Sequence, residues 1–362
     1  MQIFDKITVI IPTHERHNFL ERSLDYWSQL DIKIIVIDSS VDKYTGQVLE
    51  NIVYFHYPDK SFVEKIAKVL SQIETDYSAI CADDDFITET GILESLIYLD
   101  SNEKFVSAQG RYIAFWFNEQ ESIDFSPRYA GARNYEVSHD DANERMNLSM
   151  SPYMHQFYAV QKTKILKEAF SVCVKHNYMR GWELDVSLIA SIYGNHKTLP
   201  VFYGAREAME QSKQIGFVPL IADWVNNPDN QTELNMWRDA IAEVYSKHEG
   251  VGIDEGRRAF DKAINSYIYK SSSFTMINSS IAFKELIKKF IPNSILRMKR
   301  KIVYGKKQWP PSSRQASILR KTVSKEPGYP LSDKTARKEW MSMKNIINKH
   351  GLLDNIVYRD HL

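Results

Sequence analysis

Cysteine is scarce in this chain, with two residues in 362. A secreted scaffold held by disulfides needs more, and the spacing of Cys81 and Cys173 is not that of a metal site, so we expect both to be reduced structural thiols. Long apolar runs are also missing, because no stretch approaches the ~20 apolar residues needed to cross a bilayer. The first residues contain no small-residue cleavage site and do not resemble a secretion signal. These absences predict a soluble cytoplasmic protein.

Net charge is absent as well, since 46 basic side chains balance 46 acidic ones. With 43% hydrophobic residues the chain can fill a large core, which excludes intrinsic disorder. The balance hides a basic segment at 284–307, where nine Lys or Arg residues accompany one acid. Its interleaved apolar residues fit either an amphipathic helix lying on the inner face of a membrane or a solvated face packed on the protein body. Nucleic-acid binding would suit the charge, but no recognition motif accompanies it, so we expect no nucleic-acid partner.

Strand-like and helix-like segments alternate along the first half of the chain. The polar segment 118–138 predicts a mobile loop or lid. β-branched and aromatic runs predict strands at 7–12, 32–37, 51–56, 77–82, 105–117 and 153–160. Helical spacing predicts helices at 15–30, 61–73, 92–99, 139–147, 164–175, 183–193, 231–248, 254–269 and 334–350. The pattern indicates an α/β fold with a mostly parallel central sheet in residues 1–210, and a helical C-terminal region in residues 211–362.

Three consecutive acids, Asp83, Asp84 and Asp85, follow the fourth predicted strand. Ligands of open parallel sheets bind beyond the carboxyl ends of the strands. Adjacent carboxylates repel each other unless a cation is present, and two acids separated by one residue can share a hard cation with water and diphosphate oxygens. The alternative is a helix cap, for which one Asp would suffice. The triplet therefore predicts Mg²⁺ or Mn²⁺ bound by Asp83 and Asp85.

The ends of three predicted strands carry motifs in a definite order. The first strand ends in Pro12-Thr13 with Arg16 three residues later, the second in Asp38, and the fourth in the Asp-x-Asp pair of Asp83 and Asp85. This order resembles the nucleotide-sugar-binding half of the family-2 glycosyltransferases, which have the GT-A fold. The resemblance covers roughly residues 5–205.

The resemblance implies roles for these positions. Residues 12–16 and Asp38 match the segments that hold the nucleobase and ribose, Asp83 the acid that faces the ribose, and Asp85 the acid that binds the metal. The family's Tyr-Asn is replaced here by His14-Glu15, which leaves the identity of the base open. The whole set expected to bind the nucleotide sugar is Pro12, Thr13, His14, Glu15, Arg16, Asp38, Lys65, Asp83, Asp84 and Trp182.

A second acidic motif, Glu183-Leu184-Asp185, begins a predicted helix. It resembles the motif that supplies the catalytic base of this family for an inverting transfer, although the family's acids are adjacent and these are not. Glu183 and Asp185 are therefore both eligible as the base, which must take the proton of the acceptor hydroxyl. Helix capping is the structural alternative. Trp182 fits either a wall for a sugar ring or ordinary core packing.

Two histidines and three cations complete the candidate set. His196 falls where some related enzymes place a third metal ligand, and His155 lies on a predicted strand nearby. Lys60, Lys65 and Arg206 could neutralise the leaving diphosphate. Buried structural histidines and solvated surface cations are the alternatives.

Together these features predict a metal-dependent glycosyltransferase. Its donor would be a nucleotide-diphosphate sugar, and its acceptor a hydroxyl of a glycan such as a cell-surface polysaccharide or a lipid-linked oligosaccharide. One alternative is a nucleotidylyltransferase, against which the first strand is not followed by a glycine-rich basic loop. Another is a catalytically silent module that binds a nucleotide sugar or glycan. The donor base, the sugar, the linkage and the oligomeric state are not defined by these residues.

Overall fold

One ten-stranded sheet organises the chain in a computed structural model, which describes residues 3–118, 120–128, 134–176, 178–208, 221–279 and 326–353. The strands are β1 (Ile7–Thr13), β2 (Lys33–Asp38), β3 (Ile52–His56), β4 (Tyr77–Ile80), β5 (Phe86–Ile87), β6 (Phe105–Phe117), β7 (Ile123–Arg128), β8 (Glu136–Val137), β9 (Val160–Lys162) and β10 (Asn195–Glu207). Their order across the sheet is β3-β2-β1-β4-β9-β6-β10-β5, with β7 beside β6 and β8 beside β10.

Ten α-helices lie in the described part of the chain. They are α1 (His17–Trp27), α2 (Phe62–Leu70), α3 (Glu89–Ser101), α4 (Ala142–Met150), α5 (Thr163–Cys173), α6 (Met179–Tyr193), α7 (Ile221–Val225), α8 (Gln231–Glu249), α9 (Ile253–Ser279) and α10 (Lys334–His350). The helices α2 and α3 begin where the sequence supplies a cap, Ser61 and Thr88 respectively. Ser61, for example, accepts a hydrogen bond from the Glu64 N–H, and Glu64 returns one to the Ser61 N–H.

Strand direction shows how the sheet is built. β1, β2, β3 and β4 pair in parallel, β9 runs against both β4 and β6, and β6 pairs in parallel with β10. Six of the ten described strands therefore run in one direction. The predicted α/β class, with a mostly parallel central sheet and C-terminal helices, is confirmed.

Two predicted segments differ from the structure. The supposed loop at 118–138 contains β7, whose first five residues are buried against β6, and the short strand β8. Its polar composition concealed a strand because Asp124 and Ser126 are buried rather than solvated. The strand predicted at 153–160 is wrong, since pairing begins only at Val160, and Phe157 and Tyr158 enter the core from irregular backbone.

The C-terminal helices pack in two places. α8 and α9 pack on each other, with α9 also on α4 and α8 on α6. α10 instead packs against α1, α3 and β10, with the ring of Trp340 5.2 Å from that of Phe125. None of the described helices is long and apolar enough to cross a bilayer. The basic segment 284–307 lies outside the described residues.

Candidate active site

The carboxyl ends of four strands meet at one edge of the sheet. β1 ends at Thr13, β2 at Asp38 and β10 at Glu207, and the aspartate triplet begins three residues after β4. Ligands of open α/β sheets bind at this edge. The structure therefore brings most of the residues predicted to bind a nucleotide sugar to one place.

Asp83 is fully buried and faces the end of β1 and the start of α1. One of its oxygens accepts a hydrogen bond from the Thr13 hydroxyl at 2.6 Å, and the other forms an ion pair with Arg16. The same guanidinium donates to Asp84 at 3.0 Å. Burial alone would lower the pKa of Arg16, but the carboxylates of Asp83 and Asp84 outweigh it and raise that pKa. Arg16 thus stays charged and holds two of the three aspartates.

Asp85 faces the opposite side, towards the end of β10. Its oxygens accept hydrogen bonds from Nε of Arg206 at 3.0 Å and from the N–H of Glu207 at 2.8 Å. Arg22 donates to the Glu207 carboxylate at 2.6 Å and to the backbone oxygen of Asp84 at 3.1 Å. Sequence reasoning missed Arg22 and Glu207, and no local signal marks the pair, because its members lie 185 residues apart.

Arg22 is a fully buried cation at the centre of this cluster. Its guanidinium lies 5.0 Å from the ring centroid of Phe19 and 5.5 Å from that of Phe86, close enough for cation–π attraction. Its Nε and Nη1 atoms have no hydrogen-bond partner among the described residues. A buried charge of this kind is stable only because Glu207 pairs with it.

Burial disfavours the anions of the cluster even though cations pair with them. Arg16 pairs with Asp83 and Asp84. Arg206 pairs with Asp85, and Arg22 with Glu207. Burial raises the pKa of Asp83 and Asp85 against the opposing attraction of Arg16 and Arg206, and it raises the pKa of Glu207 as well. An additional cation beside these carboxylates would therefore be stabilised.

A hard divalent cation on the aspartates would have to take most of its ligands from substrate and water. Each carboxylate oxygen has a second lone pair beyond its hydrogen bond from the protein. Mg²⁺ usually binds one or two carboxylates together with substrate phosphates and water. Among the described residues, no group of three or more His, Cys, Asp or Glu side chains forms a metal site by itself. Asp83 and Asp85 are the residues that would hold such a cation, as a partial site.

Asp38 forms a second polar group at the end of β2. It accepts hydrogen bonds from the Ser40 N–H at 2.8 Å and the Tyr54 hydroxyl at 2.6 Å, and Nε2 of His17 lies 2.9 Å from it. Burial would raise its pKa, but these bonds lower it. Asp38 is therefore an ionised, buried acceptor beside the loop that follows β1.

That loop is strained at Glu15, which has a φ of +54°. Few residues with a side chain adopt this conformation, and it persists only where the surroundings impose it. Here the Glu15 N–H donates to the Ser40 hydroxyl at 2.7 Å, and the Glu15 carboxylate accepts from the Val41 N–H at 2.6 Å. His14 beside it is exposed. Strain of this kind is typical of ligand-binding loops.

Lys65 and Pro12 support the loop from inside the protein. Nζ of Lys65 donates to the Thr13 carbonyl at 2.5 Å and to the Ser39 hydroxyl at 2.8 Å, and burial lowers the pKa of Lys65 to about 8. Pro12 lies within β1 opposite Ile37 and is buried. Lys65 thus joins the ends of β1 and β2.

In the second acidic motif, Asp185 is a buried anchor. Its side chain is 0% exposed. One oxygen lies 2.7 Å from Nε2 of His176, and the other accepts a hydrogen bond from Nε1 of Trp237 in α8 at 2.5 Å. Both oxygens therefore connect α6 to neighbouring elements, and neither faces an acceptor.

Glu183, two residues earlier in α6, has the opposite environment. Its side chain is 49% exposed, and one oxygen lies 3.1 Å from Nε2 of His155. Trp182 is half-buried: its ring stacks on that of Phe62 at 5.9 Å, and its Nε1 donates to the His176 carbonyl at 3.3 Å. Of the two acids left open by the sequence, Glu183 is the one that an acceptor can reach.

A row of side chains connects Glu183 to the aspartates. The guanidinium of Arg206, which pairs with Asp85, lies 4.7 Å from the ring centroid of Tyr158. The rings of Tyr158 and His155 are 5.8 Å apart, and His155 pairs with Glu183. Three side chains, those of His155, Tyr158 and Arg206, therefore separate Glu183 from Asp85 and connect the two acidic motifs.

The structure separates His196 from this site. His196 lies at the amino end of β10, ten residues before Arg206 and thus roughly 30 Å along the strand. Its Nδ1 lies 2.8 Å from the Ser107 hydroxyl, and burial lowers its pKa to about 3. The prediction that it ligates the metal of Asp83 and Asp85 is therefore wrong. Lys60, in the turn between β3 and α2, pairs with Asp59 at the surface at 3.3 Å.

Comparisons with known proteins add only a distant likeness. No protein-family model and no curated protein matches the chain. A crystal structure of S. aureus TarS is 13% identical to this chain, at a TM-score of 0.39. The match covers 72% of this chain and 54% of that TarS chain, so this chain spans about half the length of TarS. TarS 1–349 in complex with UDP-GlcNAc is 13% identical over 75% of this chain and 92% of that chain, at a TM-score of 0.41. TarS 1–349 in complex with UDP is 12% identical, over 75% of this chain and 91% of that chain, at a TM-score of 0.35. At this distance the likeness assigns no reaction to this chain.

Proposed function

We propose that this protein is a metal-dependent glycosyltransferase of the GT-A type, with its catalytic domain in residues 1–210. The observation that carries the proposal is the placement of an exposed carboxylate, Glu183, next to a buried aspartate cluster through His155, Tyr158 and Arg206. A site of this kind joins a group that can remove a proton to one that can hold a diphosphate.

The donor would be a nucleotide-diphosphate sugar bound along the carboxyl edge of the sheet. Asp38 and the loop at 14–16 lie where the base and ribose would bind. Arg206 and Arg16 lie beside the aspartates, where guanidinium groups can pair with phosphate oxygens. Lys65 would act indirectly, by fixing the ends of β1 and β2.

Glu183 would act as the base of a single displacement. It takes the proton of an acceptor hydroxyl as that oxygen bonds to the anomeric carbon, and the bond from that carbon to the diphosphate oxygen breaks with its electron pair leaving on the diphosphate. This course inverts the anomeric configuration. A Mg²⁺ or Mn²⁺ ion on Asp83 and Asp85 would supply charge that stabilises the leaving diphosphate. His155 orients the Glu183 carboxylate.

The acceptor would be a hydroxyl of a glycan, either a cell-surface polysaccharide or a lipid-linked oligosaccharide. A cytoplasmic enzyme that contacts the inner face of the membrane through segment 284–307 would suit the second of these acceptors.

The test is a thermal-shift panel of UDP, GDP, CDP, ADP and their common sugars, with and without Mn²⁺. A ligand at 100 times its dissociation constant should add about 2.7 kcal/mol to the free energy of unfolding. We expect one nucleotide to stabilise the wild type in the presence of Mn²⁺, and Asp85→Asn to lose this effect. Asp140→Asn, which removes an exposed acid that pairs with Lys104, is the matched control. If no nucleotide stabilises the protein under either condition, the proposal is wrong, and a glycan-binding module becomes the better account.

A further inference from the structure

A small cavity lies beside His155. It lies over the middle of β6, and the side chains that matter for its chemistry are those of Gln109, Arg111, Tyr112, Arg128 and His155. β7 runs antiparallel to β6 and brings Arg128 opposite Tyr112. Two arginines, Arg111 and Arg128, are thus among the residues that line the cavity.

The chemistry of the lining favours an anion that also carries hydroxyl groups. Of the described residues that line the cavity, none is acidic and two are arginines. Arg111 is fixed by its donation to the Pro327 carbonyl and by the ring of Tyr329, 5.7 Å away. Guanidinium groups recognise carboxylates and phosphates through paired N–H donors.

Two buried polar atoms in the lining lack a partner among the described residues. They are Oε1 of Gln109 and the hydroxyl of Tyr112, whose residues are 5% and 4% exposed. Nε2 of Gln109 is already used, because it donates to the His155 carbonyl at 2.9 Å. A buried acceptor and a buried hydroxyl without partners are costly, and a bound polar group would remove that cost.

The cavity adjoins the proposed site at His155. This residue lines the cavity and also pairs with Glu183. A group in the cavity would therefore belong to a molecule that is bound at the reaction centre.

We propose that this cavity binds a carboxylate or phosphate group carried by one of the two sugars in the reaction. The inference rests on the proposed function and specifies its substrate class: either the acceptor or the donor sugar is anionic. The cavity has about 20 Å³ of space for a water-sized atom, so one oxygen of the carboxylate or phosphate would enter it and the sugar ring would lie outside, beside Glu183.

The test compares matched anionic and neutral probes by isothermal titration calorimetry. Methyl glucuronide against methyl glucoside, and glucose 6-phosphate against glucose, report on the acceptor. UDP-glucuronic acid against UDP-glucose, and GDP-mannuronic acid against GDP-mannose, report on the donor. The variants are Arg128→Gln, whose side chain is only half-buried, and the near-isosteric Tyr112→Phe. Lys104→Gln, which removes a positive charge from an exposed side chain, is the control.

We expect the wild type and Lys104→Gln to bind the anionic member of at least one pair at least tenfold more tightly. Arg128→Gln should abolish that preference, and Tyr112→Phe should reduce it several-fold. Equal affinity for both members of every pair, or a preference unchanged in both variants, would overturn the proposal. The two failures are distinguishable: nucleotides that bind without any anion preference refute only the cavity, whereas anion binding without nucleotide binding refutes the transferase and, with it, the assignment of the anion to a substrate of that reaction.

Discussion

The two acidic motifs of this chain use the same residue type in different surroundings. After β4, three aspartates are buried together, and Arg16 from the loop before α1 and Arg206 from β10 compensate their charge. At the start of α6, Asp185 is buried against the neutral donor Trp237 and His176, whereas Glu183 is half-exposed beside His155. The first arrangement can hold charge on a ligand, and the second separates an anchor from a group that can react.

The comparison teaches that burial and partners, rather than the acidic motif itself, assign the role. Asp185, which is held by Trp237 of α8 and by His176, stabilises the fold, because loss of a buried partner is costly. A carboxylate with one free face can exchange a proton with a bound molecule. Substitutions of these acids and of their partners test the assignment, and the largest effect is expected at Glu183.

Glu183→Gln should lower turnover by about 10²- to 10⁴-fold, because it removes the proposed general base while keeping the shape of the side chain. The dissociation constant of the donor and the melting temperature should stay unchanged. Rapid-quench measurement of donor consumption and calorimetric titration of the nucleotide check the two halves of this prediction. Glu243→Gln, at another exposed acid that pairs with Lys175, should behave as wild type. Turnover within threefold of wild type in Glu183→Gln would contradict the assigned role.

Asp185→Ala should instead lower the stability of the fold. It leaves Nε1 of Trp237 and Nε2 of His176 without their buried acceptor, which should cost about 3–5 kcal/mol in the free energy of unfolding. Glu183→Ala at the exposed position should cost less than about 0.5 kcal/mol. Chemical denaturation of both variants measures the difference. Similar losses at the two positions would remove the distinction between anchor and base.

Lys65→Met tests whether burial beside the aspartates lowers the pKa of Lys65, through the pH dependence of the free energy of unfolding. The folded pKa of Lys65, about 8, lies below its ordinary value of 10.5, so the unfolded chain binds more protons between these values. The contribution of Lys65 to stability should therefore rise with pH from 8 to 10.5, by up to about 3 kcal/mol. The measurement is the difference in unfolding free energy between wild type and Lys65→Met across this range. A difference that does not vary with pH would show that burial does not shift this lysine.

Trp237→Phe should have the smallest effect of the four, about 1.5–3 kcal/mol in unfolding free energy, because it removes a single hydrogen bond to a charged group. Adding Asp185→Asn should reduce the loss, since the neutral amide needs less stabilisation when buried. Trp224→Phe is the matched control, because its ring packs in the same aromatic cluster. Equal losses in Trp237→Phe and Trp224→Phe would attribute the effect to packing instead.

Much of the fold was predictable because it depends on local pattern. The apolar runs of β1 and β2 and the exact bounds of α10 follow from period and composition. The strand β7 was missed because its buried polar residues Asp124 and Ser126 resemble a loop, and burial there depends on pairing with β6. Local sequence cannot report such non-local pairing.

The site was predictable to the same extent. The aspartate triplet and Asp38 follow strand ends, and topology brings strand ends together. The sequence could not distinguish Glu183 from Asp185, because Trp237 lies 52 residues beyond Asp185. His196 was placed wrongly because it is close to the second acidic motif along the chain. It lies at the amino end of β10, whereas the aspartates lie beside the carboxyl end of that strand.

One measurement tests the central division of roles most directly: calorimetric titration of UDP, GDP, CDP and ADP, each with Mn²⁺, into the wild type, Asp85→Asn and Glu183→Gln. The account predicts that one nucleotide binds the wild type and Glu183→Gln with equal affinity, and binds Asp85→Asn at least tenfold more weakly. Nucleotide affinity that falls equally in both variants, or in neither, would contradict it.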